Sequence, residues 1–159
     1  MDPLSIIGPA VSIYSFTTSL VQSISEFCAT ARHVDIVVED LKNDILTVNR
    51  AVRSIEQQAQ AASQNRSGNG DDDLWLDARQ ALDECGGTLQ AISSELGAEI
   101  GAIGLKPSNG VTSKVMKTLR LNIRKDEIQR LRGRIRWNQS TLQVVLETII
   151  MYVYLYQGQ

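Results

Sequence analysis

The chain has 159 residues, 43% of them hydrophobic and 5% aromatic, enough to bury one sizeable core. Its 16 Lys and Arg stand against 18 Asp and Glu, and the formal net charge of −2 excludes strong overall attraction to nucleic acid. One histidine and two distant cysteines exclude a histidine metal cluster, a zinc finger and a disulfide framework.

The first 25 residues are unusual, because Pro3 to Ser25 contains no charged side chain. Asp2 followed by Pro3 is a helix start, a capping acid before a proline whose missing N–H has no partner to lose there. A helix over about 4–32 is expected. Pro9 falls too deep to be free, since it removes the bond to the Ser5 carbonyl, and it predicts a kink at Gly8-Pro9 or a helix starting there. Beyond it Ile13, Phe16, Leu20, Ile24, Phe27 and Ala31 form an apolar stripe. As a helix the uncharged stretch would be about 34 Å long, close to the roughly 30 Å of a bilayer's hydrocarbon core. Its many Ser and Thr residues argue against a permanent span.

A second helix is expected over about 34–62, where Val34, Val38, Leu41, Ile45, Val48, Val52, Ile55, Ala59 and Ala62 alternate by three and four. The polar run over 63–71 reads as a mobile loop. Asp72 and Asp73 suit the positive end of a third helix over about 72–100, with the stripe Leu74, Ala78, Leu82, Cys85, Leu89, Ile92 and Leu96. Gly86-Gly87 inside it costs about 1 kcal/mol per glycine and marks a bend or a close helix contact. After turn residues at Pro107 and Asn109-Gly110, a short helix is expected over about 112–123.

The last helix, over about 126–157, carries the longest repeat: Ile128, Leu131, Ile135, Asn138, Leu142, Val145, Ile149, Tyr152 and Tyr156. Asn138 is the one polar member besides the tyrosines. It either fixes register or oligomer state, or faces a solvated gap in a monomeric bundle. Past Glu147 there is no charge, and Ile150, Met151, Val153, Tyr154 and Leu155 exceed what one helix face can bury. They call for a second contact: the N-terminal helix of the same bundle, a partner chain or a membrane interface. The fold class is therefore an all-α bundle of four to five helices in one domain.

No enzyme signature emerges. "GAEIGAIGLK" lacks both the Gly-x-Gly fingerprint and a Gly-Lys-Ser/Thr ending, and His33 has no nucleophile at a recognisable spacing. No cofactor or metal is implied. Cys28 and Cys85 sit at apolar positions and read as reduced thiols, and Met1-Asp2-Pro3 is not the basic start of a secretory signal, so a cytoplasmic setting is expected. The two Asn-x-Ser sequons then carry no glycan.

Charge is distributed unevenly. Lys114, Lys117, Arg120, Arg124, Lys125, Arg130, Arg132, Arg134 and Arg136 crowd nine of the 16 basic residues into one stretch. On a helix Arg130 and Arg134 flank the apolar seam on one side, Arg132 and Arg136 on the other. Two readings stand: a solvated face pairing with acidic neighbours, or a patch for anionic lipid, each cation contributing about 1 kcal/mol near such a bilayer.

Three stretches together resemble the N-terminal domains of fungal STAND proteins, the NLR-like signalling ATPases, and in particular their HeLo-like group. They are "MDPLSIIG", "DEC" with the leucines that follow it, and "LRLNIRKDEIQRLRGRIRWNQSTLQVVL" from Leu119 to Leu146. The resemblance spans nearly the whole chain. It implies a helical bundle that targets membranes in regulated cell death, is activated by oligomerisation through a parent or partner signalling module, and is recruited from the cytoplasm. On that basis Leu4, Ile6, Ile7, Val11, Ile13 and Phe16 are the candidates for insertion, and the nine basic residues for anionic phospholipid. The seam from Ile128 to Tyr156 is the candidate for homo-oligomer contact, with nucleic acid excluded as a partner. The alternative is a homotypic interaction domain without membrane activity.

Overall fold

The computed structural model describes residues 2–30, 36–64, 72–104 and 125–157. The helix expected over 112–123, most of the expected loop over 63–71, His33, and the basic residues Lys114, Lys117, Arg120 and Arg124 lie outside the described residues. Among the described residues there are four helices: α1 Leu4–Thr30, α2 Ile36–Gln64, α3 Asp72–Gly104 and α4 Lys125–Gln157. No strand occurs among the described residues. The protein is an all-α bundle with a long C-terminal helix, as its periodicity predicts.

α1 starts as expected. Asp2 Oδ1 accepts from the Leu4 amide at 3.2 Å, and the Asp2 carbonyl accepts from the Ser5 amide at 2.9 Å. The helix runs unbroken through Pro9, so the alternative of a start at Gly8-Pro9 does not hold. α2 continues to Gln64, two residues into the expected loop. α3 also passes through Gly86-Gly87 without interruption, and a Cβ at Gly86 would make ordinary van der Waals contact with Ile13 Cδ1 at 3.8 Å, so α1 lies beside this glycine without requiring it.

Pair contacts give the topology. Asn49 of α2 reaches Tyr14 of α1, and Arg53 reaches the Tyr14 hydroxyl, so α2 runs antiparallel to α1 from its short connection. α3 lies beside α1 in the same direction, with Arg79 at Ser5 and Gly86 at Ile13. α4 pairs antiparallel with α3, Asn138 meeting Thr88 and Tyr152 meeting Trp75. It pairs parallel with α2, Arg132 meeting Asp40 and Asp44. Around the bundle the order is α1, α2, α4, α3, which leaves α1 and α4 diagonal. Of the second contacts expected for the apolar end of α4, α1 is not one, since it lies diagonal; α3 meets Tyr152 there through Trp75, edge-on at 6.5 Å, and leaves Met151, Tyr154 and Leu155 exposed.

One core runs the length of the bundle. Every described member of the expected α2 and α3 stripes is buried apart from Ala62, which packs against the core half-buried, and Trp75, Ala81 and Thr88 join them from α3. In α4 the seam is buried from Ile128 to Ile149, whereas Tyr152 is half-buried and Tyr156 exposed. Met151, Tyr154 and Leu155 are also exposed.

Candidate functional site

The six insertion candidates do not share one face. Ile6 and Ile13 are buried, Ile7 and Phe16 pack half-buried against the core, and only Leu4 and Val11 are exposed. The stretch Leu4–Ala29 is nonetheless long and apolar enough to cross a membrane, a criterion that core helices of soluble proteins also meet, and only 28% of its most apolar window is buried. Three of its hydroxyls bond within the helix: Thr17 and Thr18 Oγ1 both donate to the Tyr14 carbonyl, at 2.9 and 2.8 Å, and Ser23 Oγ donates to the Ser19 carbonyl. These bonds belong to α1 alone and would travel with it.

Three side chains of other helices tie α1 down. Asn49 Nδ2 donates to Thr17 Oγ1 at 2.7 Å, to Thr18 Oγ1 at 3.1 Å and to the Tyr14 carbonyl at 3.2 Å. Arg53 Nη1 donates to the Tyr14 hydroxyl at 2.7 Å, its guanidinium 5.2 Å from the ring centroid. Arg79 Nη1 donates to the Ser5 carbonyl at 3.3 Å. That carbonyl is the one Pro9 deprives of its helical donor, so α3 supplies from outside the bond that the proline removes. Sequence reasoning missed these three residues. Pro9 was the available signal, because an orphaned carbonyl requires a donor from somewhere.

The basic cluster divides. Arg132, expected on a solvated edge, is buried: its Nε donates to Asp44 Oδ2 at 2.8 Å and its Nη1 to Asp40 Oδ2 at 3.3 Å. Arg136, still exposed, reaches Asp44 Oδ1 at 3.5 Å. For these two the pairing with acidic neighbours is what the fold realises. The i, i+4 spacing of Asp40 and Asp44 puts both carboxylates on the α2 face that parallel α4 covers. Arg130 makes only an exposed pair with Glu127 at 3.4 Å, and Arg134 is exposed and makes no ion pair with a described residue. Lys125 opens the helix, exposed.

Arg130 and Arg134 border an open groove of about 680 Å³ between α3 and α4, lined also by Glu84, Gly87, Gly133 and Trp137. At its floor Asn138 Nδ2 donates to Thr88 Oγ1 at 2.6 Å, and Thr88 Oγ1 donates to the Glu84 carbonyl at 3.2 Å. Asn138 thus bonds across the α3–α4 contact inside the chain, at the floor of the open groove. Leu4, Leu76 and the exposed α4 tyrosines lie towards the end of the bundle where α1 and α3 begin, beside Asp2, Asp72, Asp73 and Asp77, whereas Val11 lies about level with Glu84 of the groove by the register of Ser5 with Arg79 and Ile13 with Gly86. The insertion candidates sit on α1 and the described lipid candidates on α4, which are diagonal in the bundle.

Both thiols are free. Burial pushes the Cys28 thiol up, with the Glu39 carboxylate adding to the effect, and burial alone pushes Cys85 up to about 12. The Lys42 hydrogen bond holds Glu39 below its usual range. Among the described residues no group of three or more His, Cys, Asp or Glu is placed to hold a metal ion. Comparison with family models, with curated proteins and with solved structures finds no match in any of the three.

Proposed function

We propose that this bundle is a membrane-perturbing effector module of the HeLo-like kind, acting in fungal regulated cell death. In this reading α1 leaves the bundle and inserts, exposed arginines of α4 contact anionic lipid, and oligomerisation driven by an NLR-like partner triggers the change. The observation that supports it is α1 itself: a 27-residue helix, uncharged to Ser25, with the hydroxyls of Thr17, Thr18 and Ser23 bonded internally and only 28% of its most apolar window fully buried. Such a helix suits burial in one state and a bilayer in another, because neither medium has to hydrate it.

Dye release from vesicles with and without anionic lipid tests the proposal. Leu4 and Val11 are exposed, so Leu4→Glu with Val11→Glu preserves the bundle and blocks insertion. Leakage that requires anionic lipid and disappears in this variant, with unchanged circular dichroism, is the expected result. Equal leakage from variant and parent overturns the assignment of α1.

A second reading, a homotypic interaction domain without membrane activity, draws on the uncovered end of α4. Met151, Tyr154, Leu155 and Tyr156 are between 59% and 79% exposed, on a helix uncharged after Glu147. It predicts a concentration-dependent dimer that Tyr154→Lys dissociates, and no response to vesicles.

A further inference from the structure

We infer that the groove between α3 and α4 is a binding site for a phosphate ester whose organic part carries a hydroxyl or ammonium group. The first ground is geometric. Arg130, Arg134 and Trp137 fall at i, i+4 and i+7, one strip of α4, and this strip forms one wall of the groove. Two guanidinium groups a turn apart suit the several oxygens of one phosphate. The Arg130–Glu127 pair at 3.4 Å does not compete strongly, because exposed pairs of this kind exchange readily with solvent and ligand.

The second ground is the pair of glycines. Gly87 and Gly133 each sit inside a helix, where glycine is unfavourable, and a Cβ at either would meet nothing within 4 Å. Packing therefore does not explain them. Their effect is a bare floor that lets a ligand approach both backbones. The third ground is the remaining lining. Trp137, 71% exposed, offers an indole face just past the arginines, a costly side chain to leave in water without a use. Glu84 is exposed across the groove, and a carboxylate only accepts, so it disfavours bare phosphate and favours an ester bearing a donor. The groove's volume lies in the range of roughly 300–1,000 Å³ typical of small-molecule sites.

The same chemistry comes from two sources, a soluble ester or a phospholipid headgroup. The second would refine the membrane reading above, and only that arm rests on it: it narrows the lipid contact to Arg130, Arg134 and Trp137 and leaves Arg132 and Arg136 to Asp44. Trp137 reports binding directly, since the other tryptophan, Trp75, is buried. The test follows Trp137 fluorescence on titrating the whole chain with inorganic phosphate, with glycerol 3-phosphate, and with phosphatidylcholine vesicles carrying or lacking phosphatidylglycerol. The variants are Arg134→Gln, Gly133→Leu, which fills the floor without altering charge, and Arg50→Gln, which removes one remote exposed charge.

Saturable binding of glycerol 3-phosphate, tighter than phosphate, weakened about tenfold or more by Arg134→Gln and by Gly133→Leu but not by Arg50→Gln, establishes the site for a soluble ester. The same variant pattern with phosphatidylglycerol vesicles alone assigns it to the headgroup. If Arg50→Gln weakens binding as much as Arg134→Gln while Gly133→Leu has no effect, only bulk charge is at work and the inference is overturned. Silence in every titration also overturns it. Leakage is scored separately: a parent protein that binds glycerol 3-phosphate but never permeabilises vesicles keeps the groove and loses the effector reading, and a protein that permeabilises vesicles while all the binding titrations stay silent does the reverse.

Discussion

Deleting the Asp44 carboxylate, by Asp44→Ala, is expected to destabilise the bundle by about 3 kcal/mol. The figure follows from where the charge lies. Arg132 and Asp44 are only 9% and 13% exposed in their side chains, and the Nε to Oδ2 distance is 2.8 Å. Removing one member of a buried pair costs about 3–5 kcal/mol, because the surviving charge stays desolvated. Asp40, more exposed and 3.3 Å from Arg132 Nη1, keeps part of the neutralisation and places the effect at the low end. Loss of the long Arg136 contact adds under about 1 kcal/mol, as for any solvated pair. Replacing both partners, Asp44→Leu with Arg132→Met, removes the stranded charge and is expected to return stability to within about 1 kcal/mol of the parent. Urea unfolding followed by circular dichroism measures all three. In a domain of this size the single variant corresponds to a fall in Tm of about 6–12 °C. A loss below about 1 kcal/mol for Asp44→Ala alone would mean that Arg132 is as hydrated as a surface arginine, and the account of the divided basic cluster would fail.

Pro9→Ala gives the Ser5 carbonyl back its helical donor and is expected to stabilise by about 1–3 kcal/mol. Arg79→Met should then cost about 1 kcal/mol less in that background than in the parent, and a double-mutant cycle showing no coupling would dissociate Arg79 from Pro9. Thr88→Val leaves Asn138 Nδ2 buried without its 2.6 Å partner, a loss of about 1–3 kcal/mol that Thr88→Val with Asn138→Leu largely recovers. Cys85 makes stability fall in alkali. The unfolded thiol ionises near 9.0 and the folded one only near 12, so its contribution is complete below pH 9 and declines by about 1.4 kcal/mol per pH unit above it. Comparing urea midpoints of the parent and Cys85→Ala between about pH 8 and pH 10 isolates this slope, which must be shallower in the variant.

The helices and their buried stripes were legible because each repeats at three and four residues, and a stripe identifies its own core face whatever packs against it. Which stripe meets which was not. Short connections suggest neighbours in chain order, yet α2 and α3 end up diagonal, and the apolar end of α4 meets Trp75 instead of α1. Nothing in periodicity encodes that choice. The charged residues were legible as a cluster and illegible as individuals. Arg132 and Arg134 are two positions apart in sequence and lie on different sides of α4, one sealed against Asp40 and Asp44, the other facing the groove. Only knowing that α2 runs parallel to α4 brings those two acids opposite Arg132. The glycine floor beside Trp137 needed two helices placed side by side.

Energetics constrain how α1 can act in the proposed reading. Its departure uncovers Ile6, Ile13, Leu20 and Ile24 together with the faces they cover, and at about 1.5–3 kcal/mol for each large side chain this loss is about 6–12 kcal/mol. The Asn49, Arg53 and Arg79 bonds add to it. A sum of that size equals the whole stability of an ordinary domain, about 5–15 kcal/mol. Release in water is therefore equivalent to unfolding, and a thermal fluctuation does not sample it usefully. A bilayer changes the balance, since the apolar faces of α1 enter hydrocarbon and its hydroxyl bonds go with it. Amide hydrogen exchange distinguishes the two situations. In solution the α1 amides at Ile13 to Ile24 should exchange no faster than those of α2 at Leu41 to Ile55, through global unfolding alone. On anionic vesicles α1 should stay protected while the α2 amides opposite it lose protection. Fast exchange confined to α1 in buffer would show that the helix is already loose, and no membrane-coupled release would then be required.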